Sequence, residues 1–557
     1  MLKPFSTSKL AALATGLFAL LVRLPFVAHR LWDHDSVQFA LGVERYDLLA
    51  HHPHPPGYPI YIALLKLLAA CGVSPLTAMV SFAVLGGAVG ATAMVLLVER
   101  LVRERGGESG LAAGLFAGAL FASNPLLWFY GELPLLYAVE GGVTVVLALA
   151  AVRMVDGPRA VALAAFLFAL AGGLRPSTLV LLAPLGAWGL WRAVRAKSIG
   201  GRGIALALGV GAATIAAWLL PLLHFAGGLE AYRRISREHF DALLPQTSIL
   251  HGAGWPALQH NLTVLIKWGL QGVLPGLAAL VLWQLFTRFR WGAALRSLAS
   301  QLPLLVVWAV PPIAFFALYH VTKAGYTLIH LPALLVALAL LAAPGFEVSK
   351  GSRRLRLGVG IALALAMGSA IYLFGRARRD DEPRALAILH HEFHPHEIRN
   401  FEDELDKTLA VIRRYPPGTT VLVTVEMSGL GAAGADGFLY SWHRHLQWYL
   451  PEYLVVFAVP EADQAYVARG HEPFRLVLSQ VALPWRTNRL VYVFSAWPGE
   501  RLALGPGVAS GGEWFTLLAR PFAREARIGP LALTAERPPR QVPPVSERSK
   551  EANAAAR

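Results

Sequence analysis

Asp33 and Asp35 stand a few residues beyond the first apolar segment of this chain. His51, His52 and His54 follow in a stretch reading HHPHPPGYP over 51–59. Carboxylates this close to hydrocarbon are costly unless the site is wet or paired, which makes them candidates for chemistry. If Ser36 caps a helix over about 37–49, both carboxylates sit at its mouth, where free amide N–H groups favour negative charge. Their i, i+2 spacing puts them on one side of an extended chain but on roughly opposite sides of a helix. A helix-start acid facing headgroups is the simpler account of Asp35 taken alone. Asp33-His34-Asp35 also fits the short Asp-x-Asp pattern of metal-dependent nucleotide-sugar transferases, but no soluble nucleotide-binding domain accompanies it.

In the histidine stretch, Pro53, Pro55, Pro56 and Pro59 fix φ and bias their neighbours to extended geometry, which predicts a stiff strut, with Gly57 permitting a turn. The imidazoles would then be held near the aspartates, able to bind a phosphate through donated hydrogen bonds, or a metal. A solvated loop that merely redirects the chain explains the spacing equally well. Tyr58 and Tyr61 open an amphipathic helix, too short for a span, with Lys66 at its surface.

The elements that must position these residues are apolar. Hydrophobic residues make up 55% of the 557 residues and charged ones 15%, too apolar for a soluble protein of this size. Runs able to cross about 30 Å of hydrocarbon lie near 10–29, 76–98, 204–224, 263–286, 301–319, 325–344 and 357–375, with shorter ones near 110–123, 133–152, 160–174 and 177–191. The expectation is about eleven helices. The N-terminal run has no small-residue cleavage site after it and reads as a retained helix.

The net charge of +15 falls mostly in short clusters between these runs, such as Arg100, Arg103, Arg105 and Arg192, Arg195, Lys197. That is the pattern of membrane topology rather than of nucleic-acid binding. With the N-terminus cytoplasmic, the short outer loops carry only Arg175 and Lys323. The large outer regions are then 30–75, 226–261 and everything after 375. Cys71, the single cysteine, excludes an internal disulfide framework.

The tail changes in kind. A charged helical stretch at 397–414 precedes β-rich runs TTVLVTVE, YLVVFAV, FRLVLSQVAL and RLVYVFSA, which predict a small α/β domain over 376–535. Residues 536–557 are polar and Pro-rich and read as a disordered tail. HHEFHPH, with His390, His391, His394 and His396, has metal-ligand residue types but reads better as a solvated linker, and WHRHLQWY at 442–449 as a surface element.

One N-terminal helix, an acidic motif directly after it, His-Pro-Pro, an amphipathic helix and then many spans: this order resembles the membrane glycosyltransferases of the C superfamily (GT-C) that use polyprenyl-phosphate sugars. The nearest in pattern are protein O-mannosyltransferases and the bacterial aminoarabinose transferases of lipid A. Asp35-Ser36-Val37-Gln38-Phe39 matches the acidic motif and its aromatic, and His54-Pro55-Pro56-Gly57-Tyr58-Pro59 the His-Pro-Pro motif. NPLLWFYGELPLLYAVE at 124–140, GGLRPS at 172–177 and KAGYTLIHLPAL at 323–334 look like the same group. The resemblance covers roughly 10–375. Ser36 stands where many members have an acid, which leaves Asp35 as the matching carboxylate and Asp33 as its stand-in.

The resemblance implies an all-α polytopic membrane domain over 1–375, followed by the extracytoplasmic α/β domain, in a bacterial plasma membrane. It implies inversion at the anomeric carbon, with Asp35 removing the proton of an extracytoplasmic acceptor hydroxyl on protein, lipid or glycan. Such a base contributes about 10²–10⁴-fold. The leaving phosphate needs charge neutralisation more than a proton. His52, His54, Tyr58, Arg175 and Lys323 are the candidates to hold it, and Glu132 and Tyr137, with Glu140, to hold the sugar. The implied partners are a polyprenyl-phosphate-linked sugar donor and membrane lipids. No cofactor is assigned, and a divalent cation stays open. The competing readings are a transporter or flippase, against which the absence of an internal repeat and the one-sided polar investment speak, and a non-catalytic binder of lipid-linked sugars.

Overall fold

The structure, a computed structural model, describes residues 7–286, 291–349, 394–425, 442–494, 508–512 and 515–537, with four isolated positions between 361 and 368. The chain divides into two compact units, Met1–Glu402 and Asp403–Arg557. The expected boundary near 376, the apolar run at 357–375, His390, His391 and nearly all of the polar tail lie outside the described residues.

Unit 1 is helical. Its long apolar helices follow the apolar runs of the sequence: α1 (Thr7–Leu21), α4 (Pro75–Arg103), α5 (Gly110–Ala122), α7 (Tyr137–Arg153), α8 (Pro158–Leu174), α9 (Pro176–Arg195), α10 (Gly201–Phe225), α12 (Gly254–Phe286), α14 (Leu302–Leu318) and α15 (Leu331–Ser349). Among the described residues six helices are long and apolar enough to cross a membrane, or seven if α13 (Trp291–Ala299) and α14, bent by 65°, form one span. This marks a multi-pass membrane protein. The remaining apolar helices are shorter than a span, so the expected count of about eleven is not reached by length and composition alone. Small residues let the helices approach closely: a Cβ on Gly142 of α7 would lie 2.1 Å from the carbonyl oxygen of Gly86 on α4.

Shorter helices lie between the long ones: α2 (His34–Glu44), α3 (Pro59–Ala70), α6 (Pro125–Tyr130) and α11 (Leu229–Thr247). The α2 boundaries correct the sequence expectation. Asp33, with extended backbone, is the N-cap. Its side chain accepts from Ser36 N (2.9 Å), while Ser36 Oγ accepts from Asp33 N (3.1 Å), a reciprocal capping box. Asp33 takes the N-cap and Ser36 the N3 position because each side chain then satisfies the other's backbone N–H. The second outer region is also structured. α11 turns Tyr232, Ile235 and His239 inward and leaves Arg233, Arg234 and Arg237 exposed.

Unit 2 is α/β, as expected. With strands β1 (Thr420–Val425), β2 (Leu454–Val459), β3 (Gln464–Arg469), β4 (Arg475–Leu478), β6 (Arg489–Phe494), β7 (Val508–Gly511) and β8 (Thr516–Pro521), a seven-stranded sheet is ordered β4-β3-β2-β1-β6-β8-β7, β1 being parallel to both β2 and β6. A second sheet, of β5 (Gln480–Leu483), β9 (Glu525–Ile528) and β10 (Leu531–Ala535), has order β5-β10-β9. The run FRLVLSQVAL divides at Ser479, whose φ of 58° breaks the ladder into β4 (Arg475–Leu478) and β5 (Gln480–Leu483). The 442–449 stretch is not a surface element. Its helix, His443–Tyr449, buries His443, Arg444 and His445, with His443 stacked on Phe457 at 4.3 Å.

Candidate functional site

Capping explains how two carboxylates with i, i+2 spacing come to face one target. Asp33 is not inside the helix but folded back over its mouth, so the opposite-sides expectation fails, and Asp35 sits in the first turn. Both reach Lys323, which lies between α14 and a 3-10 helix (Ala324–Ile329). Lys323 Nζ donates to Asp35 Oδ2 (2.6 Å) and to Asp33 Oδ2. The two acids differ in what they have left. Asp33 Oδ1 caps Ser36 and Oδ2 meets the lysine, and its side chain is 7% exposed. Asp35 keeps 24% of its side chain open.

The His-Pro stretch closes against this pair. It is not an extended strut. His51 (φ 57°), Gly57 (102°) and Tyr58 (48°) take left-handed conformations, and Gly57 N donates to His54 O at 3.1 Å. His54 Nε2 meets Tyr58 Oη at 2.8 Å, and the Phe39 ring of α2 packs on both. His52 goes elsewhere: it is fully buried, and its backbone exchanges two hydrogen bonds with Asp47 (2.7 and 2.8 Å), which makes it a brace of the turn.

A second ion pair adjoins. Arg175, at the break between α8 and α9, donates to Glu140 Oε2 (2.9 Å), whose other oxygen accepts from Thr178 Oγ1. The guanidinium lies over the rings of Tyr326 (5.1 Å) and Tyr137 (5.8 Å). Gly325 presses against Tyr137, where a Cβ would come within 2.4 Å of the ring. Glu132 does not join this group. It is fully buried within the field of Arg23, whose guanidinium donates to the carbonyls of Ala19 (2.6 Å) and Ala122 (3.1 Å). A buried ionised residue just past α1 needs such carbonyl partners, and Arg23 acts on the Glu132 carboxylate through its charge.

Electrostatics separates the acids further. Burial pushes the Asp33 carboxyl up, and Lys323 offsets this only in part. Burial opposes the Asp35 charge as well, but Lys323, His54 and His34 outweigh it and hold Asp35 below the usual carboxylate range. His54 is lowered to about 4, by burial first and then by His239, Lys323 and Arg175 against the pull of Asp35. His320 is likewise lowered to about 4, chiefly by burial. Both are neutral at pH 7.

Two of these neighbours escaped the sequence reading. His239 of α11 packs on His51 (5.3 Å) and His54 (6.2 Å), and His320 precedes Lys323 beside Tyr326 (6.0 Å). The spacing Tyr232–Ile235–His239 on one helical face was the available signal for the first. Among the described residues no group of three or more His, Cys, Asp or Glu is arranged to hold a metal ion; His394 packs ring to ring with His396 at 5.7 Å and accepts from Glu397 N at 3.3 Å.

Residues 48–198 match a family model described as the Protein O-mannosyl-transferase TMEM260 N-terminal domain. This bears out the resemblance to protein O-mannosyltransferases. The matched segment contains His54, Tyr58, Tyr137, Glu140 and Arg175, while Asp33, Asp35 and Lys323 lie outside it. No curated protein matches the chain in sequence. Among solved structures, ArnT from Cupriavidus metallidurans bound to undecaprenyl phosphate is similar over 92% of this chain and 97% of ArnT, at 14% identity and a TM-score of 0.49. ArnT from the same organism in the apo state is similar over the same shares, at 13% identity and a TM-score of 0.47.

Proposed function

We propose that the protein is an integral-membrane inverting glycosyltransferase that moves a sugar from a polyprenyl-phosphate donor to an acceptor hydroxyl. The carrying observation is the Asp35–Lys323–Asp33 cluster beside His54 and Arg175. One accessible carboxylate, at a helix start between apolar helices, is bound to Lys323 and adjoins His54, with Arg175 beyond it, the combination that hydroxyl deprotonation and phosphate departure require. The match of residues 48–198 to an O-mannosyltransferase domain supports the same reading.

Asp35 is the base, because its carboxylate is partly open whereas both Asp33 oxygens are committed. Lys323 and Arg175 are the anion-neutralising groups, and His54 with Tyr58 supplies neutral hydrogen bonds. Tyr137 and Glu140 border the space for the sugar. In the step, the acceptor oxygen bonds to the anomeric carbon, the bond from that carbon to the phosphate oxygen breaks with its electron pair going to phosphate, and the acceptor proton passes to Asp35. The active face and unit 2 lie on the extracytoplasmic side, with the N-terminus cytoplasmic, as the distribution of Arg and Lys between loops favours.

The test is purified protein in detergent with a panel of polyprenyl-phosphate sugars and candidate acceptors, following release of polyprenyl phosphate. Wild type should release it from at least one donor, and Asp35→Asn should not. A wild type that binds donors without turning any over would make the protein a binder or transporter of lipid-linked sugars.

A further inference from the structure

The cations that must meet the donor phosphate are already taken. Arg175 is held by Glu140 and lies over two tyrosine rings, a fixed geometry. Lys323 bridges Asp33 and Asp35, and a lysine is a point charge on a flexible stem that can change partners without losing a planar fork. The groups around Asp35 are Lys323, Asp33, His34 and His54, with His239, His320, Tyr58, Tyr137 and Arg175 beyond. With Glu140 offsetting Arg175, the inner trio of two carboxylates and one ammonium already carries a net negative charge. A phosphodiester adds another, and packing uncompensated like charges into a mostly buried site is costly.

We propose that Lys323 couples donor binding to activation of the base: the donor phosphate takes the ammonium from Asp35, while Asp33 takes up a proton. This rests on the donor class proposed above. Asp33 is the acid suited to the proton, because it is the more buried of the two and burial already favours its neutral form. Asp35 then remains ionised but is released from the ammonium that made it a poor base. Without donor it stays locked, so acceptor deprotonation waits for a donor to be in place. When the sugar leaves, the phosphate goes from one negative charge to two, and Lys323 is already beside it. Atoms and charge balance: Asp35 gains the acceptor's proton and the carrier leaves as its monoester.

The handover is tested by calorimetry on the full chain in detergent. The probe is a polyprenyl methyl phosphate, a diester that cannot be turned over and that carries one charge throughout the range used. Titrations in buffers of different ionisation enthalpy, between about pH 5 and 8, read the protons taken up on binding. Wild type should take up close to one proton somewhere in this range. Asp33→Asn, which keeps a good helix cap, should bind with no uptake. Lys323→Met should bind at least about tenfold more weakly. Wild-type binding without uptake at any pH, or undiminished affinity in Lys323→Met, overturns the handover while leaving the donor class standing. Failure of both this diester and every sugar donor to bind would remove the donor class, and the handover with it.

Discussion

Asp33 and Asp35 both contact Lys323, and the roles assigned to them predict very different responses to the same substitution. Asparagine preserves the shape of each side chain. In Asp35→Asn the base is lost, which costs about 10²–10⁴-fold in turnover, or about 3–5 kcal/mol of transition-state stabilisation. Donor KM should stay level or fall, because Lys323 then has one carboxylate fewer to satisfy and meets the phosphate more readily. In Asp33→Asn the cap survives, since asparagine caps as well as aspartate, and Asp35 with its lysine remains. The loss there is one charge-assisted hydrogen bond, about 1.5–3 kcal/mol at most, shared between stability and donor binding rather than concentrated in the chemical step. Turnover should therefore fall by about tenfold or less. The assay is initial-rate release of polyprenyl phosphate at saturating acceptor, with donor varied and folding checked by thermal unfolding in detergent. Equal kcat losses in the two variants, or a larger one in Asp33→Asn, would refute the argument that the open carboxylate is the base.

Arg175→Lys keeps the charge but loses the planar guanidinium that reaches Glu140 and lies over two tyrosine faces; donor KM should rise about tenfold with little change in kcat, and an unchanged KM in initial-rate measurements would contradict the assignment. Gly325→Ala drives a methyl into the Tyr137 ring; the overpacking should cost about 1–3 kcal/mol, read as a lower unfolding temperature in detergent and reduced turnover. Because His54 is lowered to about 4, its imidazole is neutral through the physiological range. An imidazolium loses its attraction for phosphate as pH rises through its pKa, so an unshifted His54 would weaken donor binding between about pH 6 and 7; instead wild type and His54→Gln should show parallel affinity profiles from about pH 5 to 8, and a step near pH 6.5 confined to wild type would show that the ring is charged.

The long apolar helices were legible because hydropathy over twenty residues is a local property, and α4, α10 and α12 lie on the runs that announce them. α11 was not legible in the same way. Charged residues interrupt it, and its inward stripe, Tyr232, Ile235 and His239, is too sparse to read without knowing what covers it. The candidate site divides along the same line. Asp35, His54, Arg175 and Lys323 could be named from residue type and position, whereas their grouping, through a lysine nearly three hundred residues from the aspartates, is a tertiary fact. Glu132 shows the converse. Near Tyr137 in sequence, it is fully buried, and Arg23 is the foremost charge acting on it.

The proline stretch acquires a different purpose from the one its composition suggested. Its histidines take different places: the His52 backbone is locked into the turn with Asp47, and the His54 ring bears on Asp35. What the stretch does is pack against α2 at Pro53 and His54 and against α10, α11 and the segment after α2 at Pro56 and Gly57. A Cβ on Gly42 would lie 2.9 Å from Pro53, and one on Gly57 2.8 Å from both Tyr46 and Leu222. Tyr46 Oη donates to Gly57 O (2.7 Å), and Tyr232 of α11 donates to Pro56 O (3.3 Å). Residues whose φ is fixed in advance lose little entropy in forming such contacts. α2 has only eleven residues and would be marginal in isolation. Clamped from its C-terminal end by the proline turn and from its N-terminal end by the Asp33 box, it becomes a rigid mount for one side chain in its first turn, Asp35. Preorganisation of a base requires that its carrier not move when the charge beside it does. On this argument the prolines serve the carboxylate first and the phosphate only through His54.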